Sequence, residues 1–192
     1  GNTKLPFSVD DRTDTPVSLY AATKKADELM SHCYGHLYSI PQTGLRFFTV
    51  YGPWGRPDMA MYIFCKSISE GRTIQVFNNG DMKRDFTYID DIVAGVIASL
   101  DNPPVSINDQ ASCRLYNIGN NSSEPLMRMI RLIEEAMGKK AKIDFQPMQL
   151  GDVKESFADI NAISADLGYK STTPIDIGVP KFVDWFKAYE GV

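Results

Sequence analysis

Ser18-Leu19-Tyr20-Ala21-Ala22-Thr23-Lys24 is the stretch on which the reading of this chain turns. Pro16 precedes it, and Lys25-Ala26-Asp27-Glu28-Leu29-Met30 continues it without a breaker. Proline in the first turn followed by strong helix formers predicts a helix start near residue 17. Positions i and i+4 lie one above the other on a helix, so the Tyr20 phenol and the Lys24 ammonium can point into one site. A cation beside a phenol favours the phenolate, and a tyrosine activated in this way serves as a general base. Tyrosine and lysine are both common, so the spacing decides nothing alone. The flanking segments must supply the rest.

The predicted helix covers roughly 17–38, with Leu19, Ala22, Ala26, Leu29, Met30, Cys33, Tyr34 and Leu37 recurring at threes and fours, and Pro41 closing it. Gly44-Leu45-Arg46-Phe47-Phe48-Thr49-Val50-Tyr51 follows as a dense apolar run and reads as one buried, parallel strand. It ends at Gly52-Pro53-Trp54-Gly55-Arg56-Pro57, a loop whose glycines and prolines fix tight backbone conformations. Loops at the carboxyl ends of parallel strands are where α/β proteins place their ligands. Helix followed by buried strand is the pattern of a doubly wound sheet.

Beyond residue 56 the elements shorten and turns multiply, as in a smaller mixed domain. Asp58 is expected to cap a helix through Ser69, ended by Gly71. A strand over 73–77, a turn over 78–81 and an alternating strand over 84–89 come next, and Asp90 or Asp91 caps a helix to about Leu100. A surface loop runs from Asn102 to Ser112, and residues 115–119 form a strand and turn. Ser123 with Glu124 and Pro125 opens a helix to Met137 that stops at Gly138. A strand over 142–145 and an extended stretch over 147–160 precede two helices near 161–167 and 175–190.

Bulk properties narrow the function. The 192 residues are 43% hydrophobic and 23% charged, with a net charge of −4, an ordinary globular composition that offers no basic field for nucleic acid or a membrane surface. Cys33, Cys65 and Cys113 are widely spaced and read as free, buried, reduced thiols of a cytoplasmic protein. His32 and His36 stand four apart on the first helix, but no third ligand is near, so no metal site is expected. No apolar run approaches membrane length and no signal peptide is visible, which reads as a soluble chain.

Taken in order, the chain resembles the extended short-chain dehydrogenase/reductase family, and within it the NAD-dependent nucleotide-sugar epimerases of the UDP-glucuronate 4-epimerase kind. The resemblance rests on residues 18–25, on GLRFFTVYGPWGRP over 44–57 with Asp58-Met59-Ala60, on MKRDFTYIDD over 82–91, and on Gly151-Asp152-Val153. It implies an α/β fold: the C-terminal part of a Rossmann-type parallel sheet domain over 1–55, carrying the Tyr-Lys helix, and a smaller mixed α/β substrate-binding domain over 56–192, with segments able to return to the first sheet.

The resemblance also implies site roles. Tyr20 would remove the proton from the sugar 4-hydroxyl while NAD takes hydride from C4, and Lys24 would hold the nicotinamide ribose, making both residues cofactor-binding as well as catalytic. Thr49 and Arg56 would grip the uronate carboxylate, Arg56 bidentately. Many relatives that act on uncharged sugars carry Asn at the Thr49 position. Arg84 would contact the diphosphate, Gln75 and Phe77 the uracil, and Asp152 the uridine ribose. Phe77 as plain core and Arg56 as a solvated loop arginine remain open. Gln149 departs from the pattern, because an arginine often stands there.

The Gly-rich loop that cradles the NAD pyrophosphate in this family is absent from the sequence, so most of the cofactor site is expected upstream of Gly1 and the chain alone is expected to be inactive. Two other enzymes of the class stay open, a UDP-glucuronate decarboxylase and a UDP-glucose 4-epimerase. So does a non-catalytic UDP-sugar-binding or dimerisation module. The partners implied are a UDP-sugar, a second copy through the Tyr-Lys helix, where Met30, Tyr34 and Leu37 would sit, or the N-terminal part of the same enzyme.

Overall fold

The computed structural model describes residues 4–105 and 112–192. Helix α1, Leu19–Tyr38, opens the ordered core, with the Ser18 hydroxyl accepting a hydrogen bond from the Ala21 amide at 3.1 Å and so capping an orphan donor. Strand β1, Gln42–Phe47, and strand β2, Thr49–Tyr51, follow. One continuous strand was expected here. The interruption falls at Phe48, whose amide bonds Ile118 O at 3.2 Å while its carbonyl accepts from the Val50 amide at 3.0 Å. That tight kink moves the chain from one strand partner to another.

Helix α2 spans Ala60–Ser69, strand β3 Thr73–Val76, and a 3-10 turn Phe77–Gly80. Strands β4, Lys83–Arg84, and β5, Phe86–Tyr88, are separated by Asp85, again where one strand was expected. Helix α3 is Ile89–Asp101, strand β6 Cys113–Ile118, strand β7 Glu124–Pro125 and helix α4 Leu126–Met137. Strands β8, Lys142–Phe145, and β9, Glu155–Ser156, precede helices α5, Asn161–Leu167, and α6, Ile175–Glu190. The expected loop over 102–112 lies mostly outside the described residues.

Strand pairing is mainly parallel. β1 pairs with β6, β2 with β5 and β3 with β8, all parallel, while β4 is flanked by β7 antiparallel and β9 parallel. Residues 83–88 therefore belong to two sheets in turn, and Asp85 marks the crossing. The larger apolar core gathers α2, α4 and α6 around β2, β3 and β5, with Phe182, Phe186, Val76 and Ile133 almost fully enclosed. A second core joins α3 and α5 to β6 through Ile92, Ile118, Ile163 and Tyr169.

Two capping expectations give way to other contacts. Asp58 does not cap α2, whose N-cap is Met59 with no side-chain bond; the Arg56 fork captures the carboxylate instead. Neither Asp90 nor Asp91 caps α3: both stand inside its first turn, after Tyr88. Buried Asp91 reaches across to the hydroxyls of Ser171 and Thr172, at 3.1 and 2.9 Å, and the Thr173 amide at 2.9 Å. Pro125 does stand at the N-cap of α4, and with Glu124 it also forms β7 beside β4. The cysteines are free, as expected, but only Cys65 is buried, where burial pushes its thiol up to about 12; Cys33 and Cys113 are exposed. Among the described residues, no helix is long and apolar enough to cross a membrane.

Candidate functional site

α1 is held by its ends and one edge rather than by a deep core contact. Gly35 is its sole buried residue, and a Cβ there would come 2.7 Å from Cys113 Sγ. Glu28 takes a bidentate bond from Arg46 of β1, at 2.6 and 2.9 Å, and Gln42 donates to Ser31 O at 2.7 Å. The Arg46 bonds and, with Lys25, the cationic surroundings hold the Glu28 carboxyl below its ordinary value against the effect of burial. These contacts fix the middle and C-terminal part of the helix. Tyr20 lies on the same stripe nearer the N-terminus, where it is 72% exposed.

Lys24 lies where the four-residue spacing puts it, with Nζ 5.9 Å from the Tyr20 ring centre. The same ammonium donates to Asp27 Oδ2 at 2.9 Å. That hydrogen bond, then the Asp27 charge and a smaller contribution from Tyr20, raises the Lys24 ammonium above its ordinary value. Asp27 was not foreseen as a partner. Its position three residues after Lys24 was the available signal.

The second group hangs on β2 and the loop after it. Thr49 is half-buried opposite Phe86, two residues beyond Arg84, because β2 and β5 run in parallel register. Arg56 stands exposed on the loop. Its Nε and Nη2 donate to the two Asp58 oxygens at 3.0 and 2.8 Å. Asp58, through these bonds and then its charge, raises the Arg56 guanidinium above its ordinary value, and the Tyr20 phenol adds a smaller effect of the same sign.

The remaining four candidates share one ribbon, in which residues 75–84 run beside 145–154. Val76 O accepts from the Gln146 amide at 2.9 Å, Gln146 O from Asn79 at 3.1 Å, and Lys154 O from Lys83 at 2.9 Å. Gln75 is exposed on β3 and Phe77 half-buried at the start of the 3-10 turn. Asn78 and Asn79 adopt left-handed φ values of 48° and 51°, which asparagine tolerates better than most residues. Further along, Arg84 Nη2 donates to Asp152 Oδ1 at 2.7 Å, and its Nη1 bonds the carbonyls of Lys83 and Lys154 at 2.8 and 3.3 Å. The resemblance gave these two residues separate ligand contacts; here they meet each other.

Asp85, next to Arg84, is fully buried and went unassigned in the sequence. It accepts from the Thr87 hydroxyl at 2.8 Å, the Asn120 amide at 2.6 Å and the Ala158 amide at 2.9 Å. Burial pushes its carboxyl up, and these donors oppose that. The carboxylate pins three segments around the base of the ribbon. Apart from its place beside Arg84, nothing in the sequence marks it as a hub.

Other residues find structural roles. Lys66 pairs with Glu190 of α6, and Asn117 Nδ2 bonds Phe7 O at 2.7 Å instead of stabilising a turn. Gln149 is exposed, with its carbonyl accepting from the Asp152 amide at 3.3 Å. Among the described residues, no three His, Cys, Asp or Glu side chains gather as metal ligands. The candidates therefore stand in separate places: Tyr20 and Lys24 on α1, Thr49 on β2 with Arg56 on the loop after it, and Gln75, Phe77, Arg84 and Asp152 on the ribbon.

A model of the NAD dependent epimerase/dehydratase family matches residues 2–119. The chain is 49% identical to protein CapI of Staphylococcus aureus, over 98% of this chain and 60% of that protein. It is 48% identical to UDP-glucuronate 4-epimerase 4 of Arabidopsis thaliana, over 98% of this chain and 45% of that protein. It superposes on the crystal structure of UDP-glucuronic acid 4-epimerase from Bacillus cereus in complex with UDP-glucuronic acid and NAD with a TM-score of 0.87 and 33% identity, covering 98% of this chain and 58% of that one. The chain thus spans 60% or less of the length of each of these relatives.

Proposed function

Because the chain belongs to the NAD dependent epimerase/dehydratase family, we propose that it carries the proton-transfer and sugar-nucleotide part of an NAD-dependent 4-epimerase. This enzyme interconverts UDP-glucuronate and UDP-galacturonate. The observation that carries the reading is the pairing of Tyr20 with Lys24, whose Nζ lies 5.9 Å from the Tyr20 ring centre on an exposed stretch of α1.

Tyr20 removes the proton from the sugar 4-hydroxyl and returns it after the 4-keto sugar has presented its other face. Lys24 favours the phenolate during this exchange and releases Asp27 to reach the nicotinamide ribose. Bound NAD supplies the hydride acceptor and donor for C4. An exposed tyrosine and an exposed ammonium on one helix face suit that group, and no other residue of the chain is assigned to it. Arg56 takes the uronate carboxylate in the bidentate geometry that it now uses for Asp58, and Thr49 donates a hydroxyl. A 4-keto uronate is a β-keto acid, so fixed donors that localise the carboxylate charge disfavour loss of CO2. Arg84 meets the diphosphate, Asp152 the uridine ribose, and Gln75 with Phe77 the uracil.

The division at residue 55 between a cofactor side and a sugar-nucleotide side is part of this reading, with β5 and β6 crossing it to pair with the strands of the first segment. Exposed Met30, Tyr34 and Leu37 on α1 support a homodimer contact there. The chain by itself is expected to bind UDP-sugars without turning them over.

In the full-length enzyme, UDP-glucuronate should give a product of unchanged mass, and Tyr20→Phe should lower kcat by about 10³-fold, in the range for loss of a general base. Mass spectrometry and steady-state kinetics check both. A product lighter by CO2 would replace the epimerase with a decarboxylase, and a fully active Tyr20→Phe enzyme would remove Tyr20 as the base.

A further inference from the structure

The loop that carries Arg56 lies along one stripe of the C-terminal helix. Gly178, Phe182, Trp185 and Tyr189 are spaced four, three and four residues apart, so they share a face of α6. The Tyr51 hydroxyl occupies the place where a Cβ on Gly178 would fall, and a Cβ on Gly55 would stand 3.8 Å from the Phe182 ring. Trp54 sits between these contacts. Its ring centre lies 5.6 Å from that of Trp185 and 5.8 Å from that of Tyr189, the latter edge-on. Trp185 and Tyr189 stack on each other at 5.2 Å. All three separations are those of favourable aromatic pairs.

Burial does not explain why Trp54 is there. It is 78% exposed and holds a left-handed φ of 65°, a backbone conformation that bulky residues rarely adopt. Its neighbours close the turn around it. The Gly55 amide bonds Gly52 O at 3.1 Å, and Gly52, at φ 144°, would drive any Cβ into Ile89. Arg56 follows two residues later, exposed and bonded only to groups of its own loop, Asp58 and Met59. The position of its guanidinium thus depends on how the turn over 52–55 is seated.

We propose that Trp54 is a positioning residue for Arg56: docked on Trp185 and Tyr189, it seats the turn so that the C-terminal helix sets the preference for a charged over an uncharged UDP-sugar. This rests on the reading of Arg56 as the carboxylate contact. The UDP moiety is held elsewhere, so losing the dock should cost the uronate specifically.

The test is calorimetric titration of the 192-residue chain with UDP-glucuronate and with UDP-glucose, for the wild type, Trp54→Ala and Trp54→Phe. The wild type should prefer UDP-glucuronate. Trp54→Ala should cut that preference about tenfold while UDP-glucose affinity stays within about twofold, and Trp54→Phe should restore most of it. An unchanged ratio in Trp54→Ala, or an equal loss for both ligands, overturns the positioning role. The chain has 2 tryptophans, Trp54 and Trp185. Their coupling is therefore readable as an exciton couplet in circular dichroism, expected in the wild type and lost in Trp54→Phe. Absence of the couplet in the wild type also overturns the proposal. A couplet without any wild-type preference for the uronate overturns the functional reading, and this inference with it. A couplet with a preference indifferent to Trp54 overturns this inference alone.

Discussion

Arg56 and Arg84 each hold a carboxylate of their own chain, yet the two pairs differ in every property that matters. Asp58 is two residues from Arg56, and the two side chains are 73% and 66% exposed. Asp152 is 68 residues from Arg84, whose side chain is only 19% exposed and also bonds two backbone carbonyls. The first pair costs little to open, because exposed ion pairs in water contribute about 0–1 kcal/mol. The second fastens two distant segments together. In the proposed reading one arginine can exchange its acid for a ligand's at little cost, while the other meets its ligand from a position fixed by the ribbon.

The sharpest way to test that contrast is through Asp85, which anchors the scaffold beside Arg84. Asp85→Ala strands the Asn120 and Ala158 amides and the Thr87 hydroxyl, and each buried unpaired donor costs about 1–3 kcal/mol. We expect a total loss of about 4 kcal/mol, read as a lower urea midpoint. A loss under about 1 kcal/mol would show that the ribbon holds without it.

The arginines themselves come next. Arg84→Ala should destabilise the fold by about 1–2 kcal/mol, and Arg56→Ala by less than about 0.5 kcal/mol, in the same denaturation experiment. Equal effects would erase the distinction between scaffold and exchangeable pair.

A third ion pair, Glu28–Arg46, extends the comparison to the helix that bears Tyr20. The Glu28 carboxyl is depressed in the folded chain, chiefly by the Arg46 bonds. A depressed carboxyl contributes stability that is present above its unfolded value, near 4.5, and is lost as pH falls through the folded one. Glu28→Gln should therefore cost about 1 kcal/mol at pH 7, and the gap to wild type should close as pH falls below about 4. Stability curves at several pH values check this; a gap independent of pH would mean that the carboxylate charge has no part in holding α1.

Asp58→Asn is the gentlest change. It should leave stability within about 0.5 kcal/mol and tighten UDP-glucuronate binding by about two- to fivefold, because the Arg56 fork loses a competitor. Weaker binding would instead make Asp58 a support that preorganises the arginine.

Much of this was legible in the residues. α1, α2, α4, α5 and α6 fall close to where apolar periodicity and Gly or Pro punctuation put them. The parallel β1 and the Tyr20–Lys24 face follow from local spacing. What was missed is non-local. Phe48 and Asp85 interrupt what read as continuous strands, because at each the chain changes partner. Asp91 looked like a helix cap, but its carboxylate reaches across the fold to residues 171–173, a partner that local rules cannot register.

The chain's own order of residues determined the family resemblance, the helix with its tyrosine and lysine, and the tight loop after β2. These depend on spacings of a few residues, which backbone geometry translates directly into shared faces. Tertiary structure decided that Arg84 would meet Asp152, that Asp85 would become a buried anchor, and that Trp54 would lie on α6. Each of those joins positions tens of residues apart, and only the packing of sheets and helices into cores brings such positions within bonding distance.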